Sequence, residues 1–274
     1  MQFSTLDHAA MAEALRLAER GLTTTDPNPR VGCVIVREGE VVGRGWHVRA
    51  GEPHAEVFAL REAGERALGA TAYVTLEPCA HTGRTPPCAD ALIAARVARV
   101  VIAVADSNPL VAGQGAQRLR AAGIVVDVGL LEAQARVLNA GFLRRIAGGL
   151  PWLRMKTASS LDGRTAMASG ESQWITGEAA RADVQCWRAR SSAIITGIAS
   201  VLIDDSRLSV RLAGAERQPL RVVLDSQLRL SPQAKLLQEP STTLVLTRAD
   251  SLSTAGQRLQ LLQRAGAEVK AVAT

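Results

Sequence analysis

His54, Glu56, Cys79 and Cys88 are the residues of this chain whose types and spacing can do chemistry. A neutral imidazole and two thiolates are ligands that suit zinc, and three of them leave its fourth tetrahedral position open to water. Zinc lowers the pKa of that water towards neutrality and so makes hydroxide available. A carboxylate that is not a ligand must then shuttle protons, and Glu56, two residues after His54, is in place for that. Both cysteines read as lying at or near helix starts, where the dipole favours a thiolate.

With Pro78 ahead of Cys79, the order follows the H-x-E…P-C pattern of zinc deaminases. It departs from the usual short cysteine spacing, because eight residues, Ala80 to Pro87, separate Cys79 from Cys88. Closing a loop of that length costs little extra entropy. Taken singly, His54 also reads as a core histidine, Glu56 as a solvated helix residue and the cysteines as buried fillers. All four in this order point instead to a metal site. A structural zinc would need a fourth protein ligand, which His81 could supply, and iron or cobalt suits the same donors. Cys33 and Cys186 lack any partner spacing and read as core thiols; His8 and His47 have no assignment from chemistry alone.

These residues need elements to position them. Asp7 could cap a helix running to about Arg20, with Gly21 as its stop. Runs at 31–36 and 41–43 flank Glu38-Gly39 as a β-hairpin. A helix from about His54 to Ala67 follows, started by Pro53. Strands are expected at 71–76, 99–104 and 124–128, and helices at 88–95, 116–122 and 131–146. This order is an α/β sheet covered by helices. Ala147-Gly148-Gly149-Leu150-Pro151 punctuates the chain and sets a domain boundary, giving domains 1–147 and 151–274. Beyond it, strands are expected at 152–157, 193–196, 220–224, 243–246 and 268–272, with helices at 178–190 and 252–265. The second half is α/β as well.

The chain has 274 residues, 47% apolar and 21% charged, a globular composition with length for two domains. No apolar run reaches 18 residues, so no membrane span is expected. Residues 1–8 carry neither a basic nor an apolar signal region, which makes a cytoplasmic enzyme the expectation. Four cysteines in such a chain do not suggest disulfides. The net charge is +6; residues 1–149 hold 16 Arg against 15 acids, and residues 150–274 hold 16 Arg and Lys against 11 acids. The excess in the second half hints at phosphate ligands. Eight aromatic residues are too few for the stacking platforms of a single-strand nucleic-acid binder.

Three longer motifs carry a resemblance. Residues 25–32 (TDPNPRVG), 51–56 (GEPHAE) and 75–88 (TLEPCAHTGRTPPC) resemble the bifunctional deaminase/reductase family of riboflavin biosynthesis. The likeness continues through 160–166 (SLDGRTA), 169–176 (SGESQWIT), 201–205 (VLIDD) and 224–226 (LDS), and so covers essentially the whole chain. That family has the long loop between the cysteines. The resemblance implies an N-terminal cytidine-deaminase-like three-layer α/β/α domain followed by a dihydrofolate-reductase-like α/β domain. It implies zinc on His54, Cys79 and Cys88, with Glu56 as the catalytic proton carrier. The first domain would hydrolyse the exocyclic amine of a diaminopyrimidinone bearing a ribosylamino 5-phosphate, with Asn28 and His81 at the pyrimidine. The second would reduce the ribosyl group to ribityl with NADPH. NADPH would meet Ala158, Trp174, Ser200, Asp204 and Ser226; the sugar phosphate would meet Ser172, Arg188, Leu208 and Arg211. Arginine suits phosphate because its planar fork donates two hydrogen bonds at once.

The sequence departs from the family in two places. Ser206 replaces the proline that usually follows Asp204-Asp205. The chain also stops at Thr274, ahead of the glycine-bearing loop that receives the cofactor diphosphate in the family, so the reductase half is expected to be C-terminally truncated. A sheet lacking later strands would show a bare edge and apolar surface. Four readings compete: the two-activity enzyme, a deaminase with a non-functional reductase half, a tRNA deaminase, which the near-neutral first half argues against, and a non-catalytic zinc-stabilised protein, which has no need of Glu56. A small phosphorylated pyrimidine is the expected partner, with neither nucleic acid nor membrane; oligomeric state stays open and allows a homo-oligomer.

Overall fold

A computed structural model describes residues 2–81, 86–107 and 112–272, so Thr82–Thr85 of the long cysteine loop lie outside the described residues. The chain divides into two compact units, Met1–Met155 and Lys156–Thr274.

The first unit runs α1 (Thr5–Glu19), β1 (Gly32–Arg37), β2 (Glu40–Trp46), α2 (Ala55–Ala63), β3 (Thr71–Val74), α3 (Cys88–Ala94), β4 (Arg99–Ile102), α4 (Gln114–Ala121), β5 (Val125–Val128), α5 (Glu132–Leu138) and α6 (Ala140–Ile146). Its sheet has the order β2-β1-β3-β4-β5. The hairpin β1–β2 and the β1–β3 pair are antiparallel, whereas β3, β4 and β5 run parallel. The parallel strands are short; β3 and β4 are buried beyond their first residues because helices cover both faces, whereas Val125 and Val128 at the two ends of the edge strand β5 are exposed. Helices α1 and α5 pack together on one face; α2, α3 and α4 form a contiguous layer on the other. This is the three-layer arrangement.

Several elements differ from the sequence reading. Ser4, not Asp7, caps α1: its hydroxyl accepts the Asp7 N–H at 3.1 Å while Asp7 Oδ2 accepts the Ser4 N–H at 2.8 Å. This is a capping box, with Asp7 at the third helical position. The second oxygen of Asp7 is thereby free to accept from the Tyr73 hydroxyl at 2.7 Å and from Arg99 at 2.6 Å. The helix expected over 131–146 breaks at Asn139, whose side chain is engaged with Arg30 across the fold.

The second unit contains α7 (Glu178–Arg190), β6 (Ala193–Gly197), α8 (Ile198–Asp204), β7 (Leu220–Leu224), α9 (Lys235–Gln238), β8 (Thr243–Arg248), α10 (Ala249–Thr254), α11 (Gly256–Arg264) and β9 (Ala267–Val272). Its sheet is fully parallel, in the order β6-β7-β8-β9. Val223, Leu228, Leu230, Leu236, Val245 and Leu262 make its core. No strand forms over 152–157; Trp152, Leu153 and Met155 are exposed there, so their apolar side chains stay unburied and give that run no packing to fix it as a strand. The helix expected over 252–265 splits at Ala255-Gly256, where Gly256 takes a positive φ of 42°. Cys186 is exposed on α7 rather than a core thiol, because Ala189 is the buried residue of that helix; Cys33 is buried as expected.

Candidate active site

Helix α2 brings His54 and Glu56 into the first unit. It lies unusually close to β2, because Gly43 and Gly45 present no side chain to it: a Cβ on Gly45 would sit 2.1 Å from the Ala55 carbonyl oxygen, and one on Gly43 2.2 Å from that of Ala59. Ala55, Ala59 and Ala63 give the matching small face of the helix. His54 occupies the N-cap position, so its ring projects from the helix start. Cys88 is the first residue of α3, whereas Cys79 sits in the loop after β3 and not at a helix start. The thiolate-favouring contact exists nevertheless, because the Cys88 backbone N–H donates to Cys79 Sγ at 3.3 Å.

His54 Nδ1 lies 3.2 Å from Cys88 Sγ and 3.6 Å from Cys79 Sγ. The three ligand atoms all fall within 4.8 Å of one another. Tetrahedral zinc, with bonds of about 2.3 Å to sulfur and about 2.0 Å to nitrogen, needs neighbouring donors roughly 3.5–4 Å apart, so the set fits that ion. His81 is not part of the group and is exposed, so the fourth-ligand alternative gains nothing from the described residues. Hydrogen bonding from the Cys88 side chain, from His54 and from the Cys88 N–H outweighs burial and lowers the pKa of the Cys79 thiol. The same bond to Cys79, together with burial, pushes Cys88 up.

Glu56 is 2% exposed, and its Oε2 has no hydrogen-bond partner among the described residues. Burial raises its pKa, while the charge on His54 opposes that rise. A buried carboxylate oxygen left unpaired is costly unless something polar or cationic completes its surroundings.

Asn28 and His47 lie beside this group. Asn28 Nδ2 is 3.1 Å from His47 Nε2, and His47 Nδ1 is 3.1 Å from the carbonyl oxygen of Pro53, which directly precedes His54. The His47 and His54 rings meet edge to face with centroids 5.5 Å apart. His47 is buried, which lowers its pKa and favours the neutral ring. Neutral His47 donates through Nδ1 to Pro53 and accepts at Nε2 from the Asn28 amide. A lone histidine has no spacing pattern, so this role is not readable from local sequence. Glu77 likewise has only remote partners: its carboxylate accepts backbone N–H groups of Asp106, Gly113 and Ala116 at 3.0–3.1 Å, tying the start of α4 to the segment that carries Cys79.

In the second unit, Ser172 and Trp174 line a cleft of about 610 Å³ with Arg164, Met167 and Glu171. The Arg181 guanidinium stands 4.7 Å over the Trp174 ring. Ser200 and Asp204 lie one turn apart on α8, which leaves the C-terminal end of β6; Ser226 follows the C-terminal end of the adjacent β7. All three are exposed at that end of the parallel sheet, where open α/β sheets take their ligands. Ala158 lies half-buried on the chain before the cleft and is not among the lining residues.

Arg188, Leu208 and Arg211 come together. Arg188 donates to the Ser209 carbonyl at 3.0 Å, and the Arg211 N–H donates to Gln185 Oε1 at 2.9 Å, pinning 208–211 to α7. Leu208 holds a positive φ of 53°. Burial and the neighbouring Arg211 charge both lower the pKa of Arg188. The like charge of Arg211 felt by Arg188 would be relieved by an anion bound beside them.

Residues 4–104 match the family described as the cytidine and deoxycytidylate deaminase zinc-binding region, and residues 151–273 match the RibD C-terminal domain. The riboflavin biosynthesis protein RibD of Escherichia coli (strain K12) is 57% identical over 258 residues, covering 89% of this chain and 70% of the relative. That of Aquifex aeolicus is 44% identical over 265 residues, covering 96% and 73%. Among solved structures, Acinetobacter baumannii RibD superposes with a TM-score of 0.90 at 53% identity, covering 98% of this chain and 74% of that one. A Thermotoga maritima diaminohydroxyphosphoribosylaminopyrimidine deaminase/5-amino-6-(5-phosphoribosylamino)uracil reductase does so with a TM-score of 0.85 at 35% identity, covering 97% and 80%. With a zinc-type donor set in its first unit and an open ligand edge in its second, this chain belongs to the RibD family of riboflavin biosynthesis proteins.

Proposed function

We infer that the chain performs two consecutive steps of riboflavin biosynthesis. It hydrolytically deaminates 2,5-diamino-6-(5-phosphoribosylamino)pyrimidin-4(3H)-one, then reduces the ribosyl group of the product to ribityl. Residues 1–147 are assigned to the first step and 151–274 to the second. The observation that carries this reading is the convergence of His54, Cys79 and Cys88 beside a buried Glu56 oxygen that has no partner.

His54 Nδ1 and the two sulfurs would hold zinc, which when bound supplies Lewis acidity and an acidified water at neutral pH. Glu56 Oε2 accepts a proton from the attacking water, then returns protons to the ring nitrogen and to the leaving ammonia. Water thus replaces the exocyclic NH₂ by a carbonyl oxygen, and one ammonia leaves. The raised pKa of Glu56 makes it a better base once ionised and a competent acid afterwards. Asn28, held by His47, and His81 would contact the pyrimidine. The proximity of the His47 and His54 rings supports this for Asn28.

NADPH supplies the hydride for the second step. Trp174, Ser200, Asp204, Ser226 and Ala158 would bind it, and Ser172, Leu208, Arg188 and Arg211 would bind the phosphorylated sugar. The paired guanidinium groups support the phosphate assignment. The near-neutral charge of residues 1–149 favours a free small molecule over tRNA as the amine donor.

Glu56→Gln tests the deaminase assignment. It should lower deamination by about 10²–10⁴-fold with zinc content unchanged. Retained deamination would contradict the role given to Glu56.

A further inference from the structure

We propose that Asn139 is a positioning residue for the deaminase pocket: its buried side-chain amide fixes the backbone of Arg30 and, through it, the placement of Asn28. The proposal rests on the reading of Asn28 as a pyrimidine contact.

Asn139 is separated from Arg30 by 109 residues and is 1% exposed. Its Oδ1 accepts the Arg30 N–H at 2.8 Å and its Nδ2 donates to the Arg30 carbonyl oxygen at 2.8 Å. One side chain therefore satisfies both backbone groups of one residue, as a strand partner would. Segment 25–30 has no ladder of its own and takes local bonds instead: the Asn28 N–H donates to the Thr25 carbonyl at 2.7 Å, and the Thr25 hydroxyl donates to that of Gly21 at 3.0 Å. Arg145, on α6, donates to the Pro27 carbonyl at 3.0 Å.

Asn28 is thus flanked by two anchors from the α5–α6 region, at Pro27 and at Arg30, and is itself held by His47, which also bonds the carbonyl of Pro53 next to His54. Both α5 and α6 lie outside the zinc-binding-region match at residues 4–104. Their use is positional, since neither Asn139 nor Arg145 belongs to the metal group. The break between α5 and α6 falls at the residue whose amide turns to Arg30.

Without the Asn139 amide, two sequestered backbone groups of Arg30 lose their partners, and the segment relieves that by moving towards water. Asn28 moves with it, whereas the metal ligands, on other elements, do not. Substrate binding should suffer and the chemical step should not.

The test uses the full chain loaded with zinc, with deamination of the phosphorylated diaminopyrimidine followed as ammonia release. Asn139→Ala should raise KM about tenfold while kcat stays within about threefold and zinc stoichiometry is unchanged. Arg145→Met, at an exposed position, should raise KM by a smaller factor. In an Asn28→Ala background the Asn139→Ala factor should collapse to about one, because both substitutions act through the same contact. An unchanged KM in Asn139→Ala, loss of zinc or kcat with KM unchanged, or independent multiplication with Asn28→Ala would each overturn the proposal. If Asn139→Ala does not fold, Arg145→Met decides alone, and an unchanged KM there overturns it. Asn28→Ala with an unchanged KM would instead remove the reading of Asn28 on which the proposal stands.

Discussion

Asp7 carries more of the first unit than its place in a helix suggests. Burial by itself would raise its carboxyl, but hydrogen bonds from Arg99, the Ser4 N–H and Tyr73 outweigh that and hold it far below the ordinary range. Arg99 also bonds Asp127 at 2.8 Å, so one guanidinium ties α1 to β4 and β5. A carboxylate with a depressed folded pKa contributes stability above its unfolded pKa and loses it as pH falls below that value. Unfolding midpoints measured against pH should therefore decline below about pH 4, and Asp7→Asn should flatten that decline. At neutral pH the same variant should cost about 1–3 kcal/mol by urea titration, less than a fully buried pair because Arg99 keeps some exposure to water. In sequence, Asp7 reads as a helix cap because its local partner is three residues away; Tyr73 and Arg99 lie 66 and 92 residues off and leave no local trace. The same applies to His47 and Asn139, whose partners are remote. His54, Glu56, Cys79 and Cys88 were legible because donor type and order are themselves chemical information.

At the level of elements, the metal group depends on how flat α2 lies against β2. Gly45→Ala would drive a Cβ into the Ala55 backbone carbonyl, an atom that cannot swing aside, so α2 must shift. The expected cost is about 1–3 kcal/mol, and the shift should lower zinc content at equal protein concentration, read by atomic absorption. Full zinc occupancy with wild-type stability would show that the close approach is not what seats His54. Hydropathy patterning located most strands and helices because the buried faces are regular. It failed where tertiary partners decide: Asn139 breaks a periodic helix to reach Arg30, and the apolar run at 152–157 forms no strand. It also could not show the glycine contact of Gly43 and Gly45, because a strand glycine is silent in a hydropathy pattern.

For the whole molecule, the separation of the two chemistries into two units makes them separable by experiment. A chelator should abolish deamination while sparing NADPH oxidation with the already deaminated substrate, since no residue assigned to the second step belongs to the metal group. Arg188→Ala should have the opposite effect, raising KM for reduction about tenfold or more and leaving ammonia release unaltered, because the two-guanidinium site loses one arm of its charge. Loss of ammonia release in Arg188→Ala would contradict the assignment of Arg188 to the second step alone.

Mass spectrometry of the products formed from the phosphorylated diaminopyrimidine by zinc-loaded protein, with and without NADPH and alongside Glu56→Gln, tests both steps at once. The expected products are exchange of one amino group for oxygen without NADPH, further gain of two hydrogens with it, and neither in quantity from Glu56→Gln. Unconverted substrate from folded, zinc-loaded wild-type protein, or equal deamination by Glu56→Gln, would contradict the two-step reading.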